Sequence, residues 1–61
     1  MFVALIDDHT KKEILTQYVD ELPRYNDHIR VAGGRYIVRT VEWIYGAKSF
    51  DVNIYVAEVL P

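Results

Sequence analysis

The stretch Ile29–Tyr45, "IRVAGGRYIVRTVEWIY", decides the fold. It holds two runs of β-branched and aromatic residues joined through Gly33-Gly34, a pair that accepts positive φ and predicts a tight hairpin. In the second run Tyr36 and Val38 stand two apart, as do Val41 and Trp43, but three positions separate Val38 from Val41. If all four face one core, an extra residue must be absorbed near Arg39-Thr40. A β-bulge absorbs it and bends the strand, as a small barrel requires.

Outward from this stretch the pattern stays extended. Asp51 to Leu60 alternates Val52, Ile54 and Val56 with Asn53, Tyr55 and Ala57, the period of a strand with one buried face. Gly46-Ala47-Lys48-Ser49 is the turn leading into it. As the terminal strand, it is also the expected free edge for pairing with another chain. At the other end Phe2 to Ile6 is a strand closed by Asp7-Asp8-His9-Thr10, whose short polar side chains form turns.

Thr10 to Leu22 carries two readings. Thr10 and Glu13 make a capping box, and Ile14, Leu15, Tyr18, Val19 and Leu22 recur with helical spacing up to Pro23. Alternation at Ile14, Thr16 and Tyr18, with β-favouring residues throughout, argues instead for a strand paired with the first. The expected fold is therefore one all-β domain over 1–61, a five-stranded antiparallel barrel. The alternative is an α+β fold with a helix at about 10–22 packed on four strands.

The spacing of Leu22-Pro23, Asn26-Asp27, Ile29, Gly34, Tyr36, Val38, Val41 and Trp43 resembles that of small SH3-like β-barrel proteins of phages, prophages and bacteria. Those read Leu-Pro, two residues, Gly-Asp, one residue, Ile, then Tyr-x-Val-x-x-Val-x-Trp. The resemblance spans Leu22 to Val59 and implies an SH3-like barrel and little chemistry; modulation of a host enzyme is the role it suggests. This chain has Asn26 where the pattern has glycine, and asparagine tolerates the same left-handed backbone. Asp27 is then placed to bond a nearby N–H and launch a strand at His28.

Size and composition narrow the function. A chain of 61 residues hides only about 60% of its unfolded surface. Without cysteine it has no disulfide or thiolate metal site, so self-association or a partner is the expected support. There is no basic leader and no apolar run near the roughly 20 residues that span a bilayer, so a soluble, cytoplasmic protein is expected. Catalysis lacks its parts: Ser49 is the one serine, in a turn, with His9 and His28 as the only histidines. Asp7, Asp8, His9 and His28 follow no metal-ligand spacing, and Gly33-Gly34 lacks the glycines and lysine of a phosphate loop. No enzyme, cofactor or metal is expected.

Charge is the better clue. Arg24, Arg30, Arg35 and Arg39 fall within sixteen residues whose one acid is Asp27, so that window carries +3 within a chain of net −2. Guanidinium forks suit carboxylates and phosphates. The chain also has five tyrosines, one tryptophan and two phenylalanines. Tyr36 and Trp43 fit the core pattern, whereas Tyr55 lies opposite the buried face of its strand and Tyr25, Tyr45 and Phe50 lie in or beside loops. Tyrosine, tryptophan and arginine dominate interface hot spots. The expected function is a protein–protein interaction module, with Arg24, Tyr25, Arg30, Arg35 and Tyr55 as its binding residues and a homodimer or another protein as partner. The alternative is a nucleic-acid or nucleotide binder using the arginines, against which the acidic balance counts.

Overall fold

A computed structural model describes residues 1–31, 33–46 and 50–59. It has five strands: β1 Phe2–Asp7, β2 Glu13–Tyr18, β3 His28–Val31, β4 Gly34–Tyr45 and β5 Phe50–Glu58. They form one sheet in the order β2-β1-β5-β4-β3, curled into an open half-barrel. No helix occurs among the described residues. The segment open to a helical reading, 10–22, contains β2, because pairing with β1 supplies backbone partners along its length. The turn expected at Gly46-Ala47-Lys48-Ser49 falls, from residue 47 on, outside the described residues, as does Ser49.

Three expectations are corrected. The sheet is mixed rather than antiparallel, since β1 runs parallel to β5, from Val3 beside Val52 to Asp7 beside Val56. That pairing also puts β5 at the centre between β1 and β4, so Asp51 to Leu60 is not a free edge; the edges are β2 and β3. The barrel is not closed either. No Cα of β2 comes within 8 Å of one in β3.

Register arranges the concave face in tiers. Gln17, Val3, Val52 and Trp43 form one row across β2, β1, β5 and β4, and Leu15, Leu5, Ile54 and Val41 form the next. Val56 and Val38 pair beyond these. The buried core is Val3, Leu5, Val38, Val52, Ile54 and Val56. The expected bulge is present: Val38 pairs with Val56 and Thr40 with Tyr55, leaving Arg39 as the extra residue. A second irregularity leaves Ile14 between the pairs Leu5–Leu15 and Ile6–Glu13, so adjacent Ile14 and Leu15 both pack against the core. Consequently Thr16 and Tyr18 mark the outer face, where Tyr18 meets Phe2 edge-on at 5.4 Å.

Trp43 departs from its expected core place and is 44% exposed. Its row is the last that β1 reaches, because Val3 beside Val52 is the first β1–β5 pair, while the β4–β5 ladder continues to Tyr45 and Phe50. The twelve residues of β4, at about 3.3 Å each, match the molecule's 41 Å long axis.

Turn chemistry fixes the strand ends. Val31 pairs with Gly34, so Gly34 belongs to β4 and not to the hairpin loop. Gly33 takes φ 86°, whereas Gly34 lies inside β4 under the Tyr36 ring; a Cβ there would meet Tyr36 Cε2 at 2.9 Å. At the corner before β3, Asn26 has φ 72°. Asp27 Oδ2 accepts from Arg24 N–H at 2.8 Å, while Asp27 N–H donates to Arg24 C=O at 2.9 Å. In the β1–β2 turn Asp7 Oδ1 accepts from the N–H groups of His9 and Thr10, at 2.8 and 3.1 Å. Those bonds, Thr10 first, hold the Asp7 carboxyl below its ordinary value.

Candidate functional site

The open side of the half-barrel is the main concavity. Leu15 and Gln17 of β2 form one wall, Ile29, Arg30 and Val31 of β3 the other, and Val3, Leu5 and Ile54 the floor. The volume is about 480 Å³, within the usual range of ligand sites. The connector from β2 to β3 borders this opening. It leaves β2 through a last ladder step, Val19 N–H to Met1 C=O at 2.9 Å and the Met1 ammonium to Val19 C=O at 3.0 Å. Val19, Glu21, Leu22 and Pro23 then line the groove. Pro23 lacks an N–H and biases Leu22 toward extended backbone, which keeps this connector from coiling over the gap.

Each wall is a strand with one neighbour. β2 pairs only with β1 and β3 only with β4, so their outward backbone groups face the groove opening, as edge strands do. Between these polar edges the floor is core aliphatic, and Ile29, Val31 and Leu15 are half-buried against it. Such a site offers main-chain hydrogen bonds along its sides and apolar burial beneath.

The residues expected to bind divide among three places. Arg30 and Arg35 are directly opposite each other on β3 and β4. With His28 and Ile29 they line a cleft of about 320 Å³, which shares Ile29 and Arg30 with the main groove. Arg24 and Tyr25 occupy the corner before β3, where Tyr25 is 63% exposed and Asn26 N–H donates to Val38 C=O at 2.9 Å. Tyr55 is on the convex face, as Arg30 and Arg35 are, but on β5, where it pairs with Thr40 beyond the bulge. Its hydroxyl and the Asn53 amide both donate to Glu42 Oε1 at 3.3 Å, and Lys11 Nζ sits 5.3 Å from the Tyr55 ring centre. Lys11 also pairs with Asp8 at 3.0 Å.

Asp7, Asp8 and His9 sit in the β1–β2 turn, and no three His, Cys, Asp or Glu side chains converge as a metal site among the described residues. Reading the chain by itself missed His28 as part of the basic cleft and missed the groove altogether. Its apolar walls look like ordinary core positions in one dimension. The available signal was Val19, Leu22 and Pro23 in a connector, where a solvated loop would need none of them.

Compared with models of protein families, with curated proteins and with solved structures, the chain matches none. Its function must be argued from these side chains.

Proposed function

We propose that the protein is a non-enzymatic interaction module that takes an extended segment of another protein chain between β2 and β3. The observation that carries this reading is that two single-sided strands wall the same apolar groove of about 480 Å³. An added strand gains hydrogen bonds from the edges and buries alternate side chains on the floor, the physics of β-augmentation. Surface area supports it. The chain exposes 4738 Å², against about 4,100 Å² for a compact protein of this mass. The excess, about 600 Å², approaches one partner's share of a standard interface.

The resemblance of Leu22 to Val59 to SH3-like phage proteins supports a finer proposal, that the segment belongs to a host protein whose activity is modulated. A second copy of the chain is the competing occupant. The other class of partner, nucleic acid or nucleotide, rests on the guanidiniums of Arg30 and Arg35; net charge −2 counts against it.

Amide hydrogen exchange with and without a short peptide of alternating apolar and polar residues tests the groove. The expected result is new protection at Thr16 and Tyr18 of β2 and at His28 and Arg30 of β3, whose N–H groups point away from β1 and β4. Protection absent from the outward amides of β2 and β3, or no binding, rejects the reading. Light scattering of the free protein distinguishes a second copy, which would double the mass without peptide.

A further inference from the structure

Along β3 the inward residues are Ile29 and Val31, half-buried, while His28 and Arg30 point outward and are exposed. Arg30 lies directly across from Arg35. Like charges placed opposite on neighbouring strands repel. Among the described residues neither guanidinium has an ion pair or a side-chain hydrogen bond. The cleft they line with His28 and Ile29 contains no acid, and His28, Ile29 and Arg30 belong to an edge strand. The acids of the groove, Glu21 and Asp27, lie elsewhere on its rim, and Asp27 is engaged by Arg24 N–H.

A strand laid on β3 would alternate as β3 does. Residues beside Ile29 and Val31 point to the floor, and the residue between them points outward beside Arg30, within the field of Arg35. From this register, and resting on the groove reading above, we infer that the bound segment carries an acidic residue between two apolar residues, its carboxylate held by Arg30 and Arg35. The carboxylate removes the repulsion between two facing cations and forms charge-assisted hydrogen bonds. The apolar neighbours bury against Ile29, Val31 and Leu5. Charge complementarity thus selects a peptide of one chemistry and one register.

The test uses labelled peptides on the full chain, read by fluorescence anisotropy. The parent is Val-Thr-Val-Glu-Val-Thr-Val; in two others Gln or Lys replaces Glu, and in a fourth Glu moves by one position so that it points to the floor. Expected are about tenfold weaker binding for the Gln peptide and a larger loss for Lys, with the shifted Glu weakest because its charge would be buried. Arg30→Glu should reverse the preference toward Lys. Its thermal midpoint should stay near that of the parent protein, because Arg30 is exposed. Equal binding of Glu and Gln peptides overturns the inference and leaves the groove reading standing. Failure of every peptide overturns both. Binding of a single-stranded oligonucleotide, with no peptide bound, assigns the arginines to phosphate and also overturns it.

Discussion

Val52, Ile54 and Val56 on β5 and Leu15, Ile29 and Val31 on β2 and β3 all belong to the apolar concave face, yet the first three are fully buried and the last three only half-buried. The difference is their neighbours. β5 has a strand on each side, so the side chains of two ladders close over its inner face. β2 and β3 each have one neighbour, and across the gap stands an opening instead of a strand. Facing inward is therefore insufficient for burial; a residue must also have a row on both flanks. Stability resides in the centre of the sheet, and unspent binding capacity at its two edges.

The largest effect that tests this contrast is at the centre. Ile54→Ala should cost about 2–5 kcal/mol, the range for a fully buried aliphatic truncated in place. In so small a domain that removes much of the folding free energy, read as a fall in the urea midpoint. Leu15→Ala removes a side chain from the same tier but at the edge, and should cost roughly 1 kcal/mol, in proportion to its smaller buried area. Equal losses at the two positions would break the comparison, because the groove wall would then be core and not a site. A bound peptide should enlarge the Leu15 effect.

Smaller effects concern the turns that set the edges. At Asn26, with φ 72°, replacement by alanine should cost roughly 1 kcal/mol, and glycine should be neutral or slightly stabilising. The same urea titration measures both. Such a pair of results would show that β3 is placed by backbone conformation as well as by packing. The smallest effect is at Asp7, which lies outside the gap. Its folded pKa is depressed below 3.8 by N–H donors in its turn. The stabilisation is therefore present above the unfolded value and lost as pH falls through the folded one. Asp7→Ala should remove that acid-limb dependence while changing nothing at the groove, as unfolding measured between neutral and acidic pH would reveal.

How legible each part was follows from the distance over which it is decided. The Val38-to-Val41 step required an extra residue, and Arg39 is that residue, because the buried side chains on one strand already define the mismatch. Asn26 and Asp27 were legible as a corner because a turn is made from adjacent residues. The hairpin was placed one residue late, since Gly34 pairs with Val31 inside β4 and has the Tyr36 ring, not a turn, beside its Cα. Trp43 was misplaced for a longer-range reason: periodicity shows that it faces inward, but β3 pairs only with Gly34 to Ile37 of β4 and leaves Trp43 with a strand on one flank. Of the expected binding residues, Arg30 and Arg35 are brought together by a hairpin and were readable as neighbours. Tyr55 was grouped with them for its chemistry, and the sheet sets it on β5, bonded to Glu42.

By itself the sequence determined a bulged long strand, an inward Val52-Ile54-Val56 face and a dense arginine window, and left 10–22 open between strand and helix, because propensity, alternation and turn chemistry act between residues close in the chain. Only the tertiary structure decided that β5 pairs in parallel with β1, that β2 and β3 become the edges, and that an apolar groove remains between them. Those outcomes depend on which distant strands meet, a choice made by summed burial across the whole sheet rather than by any one segment.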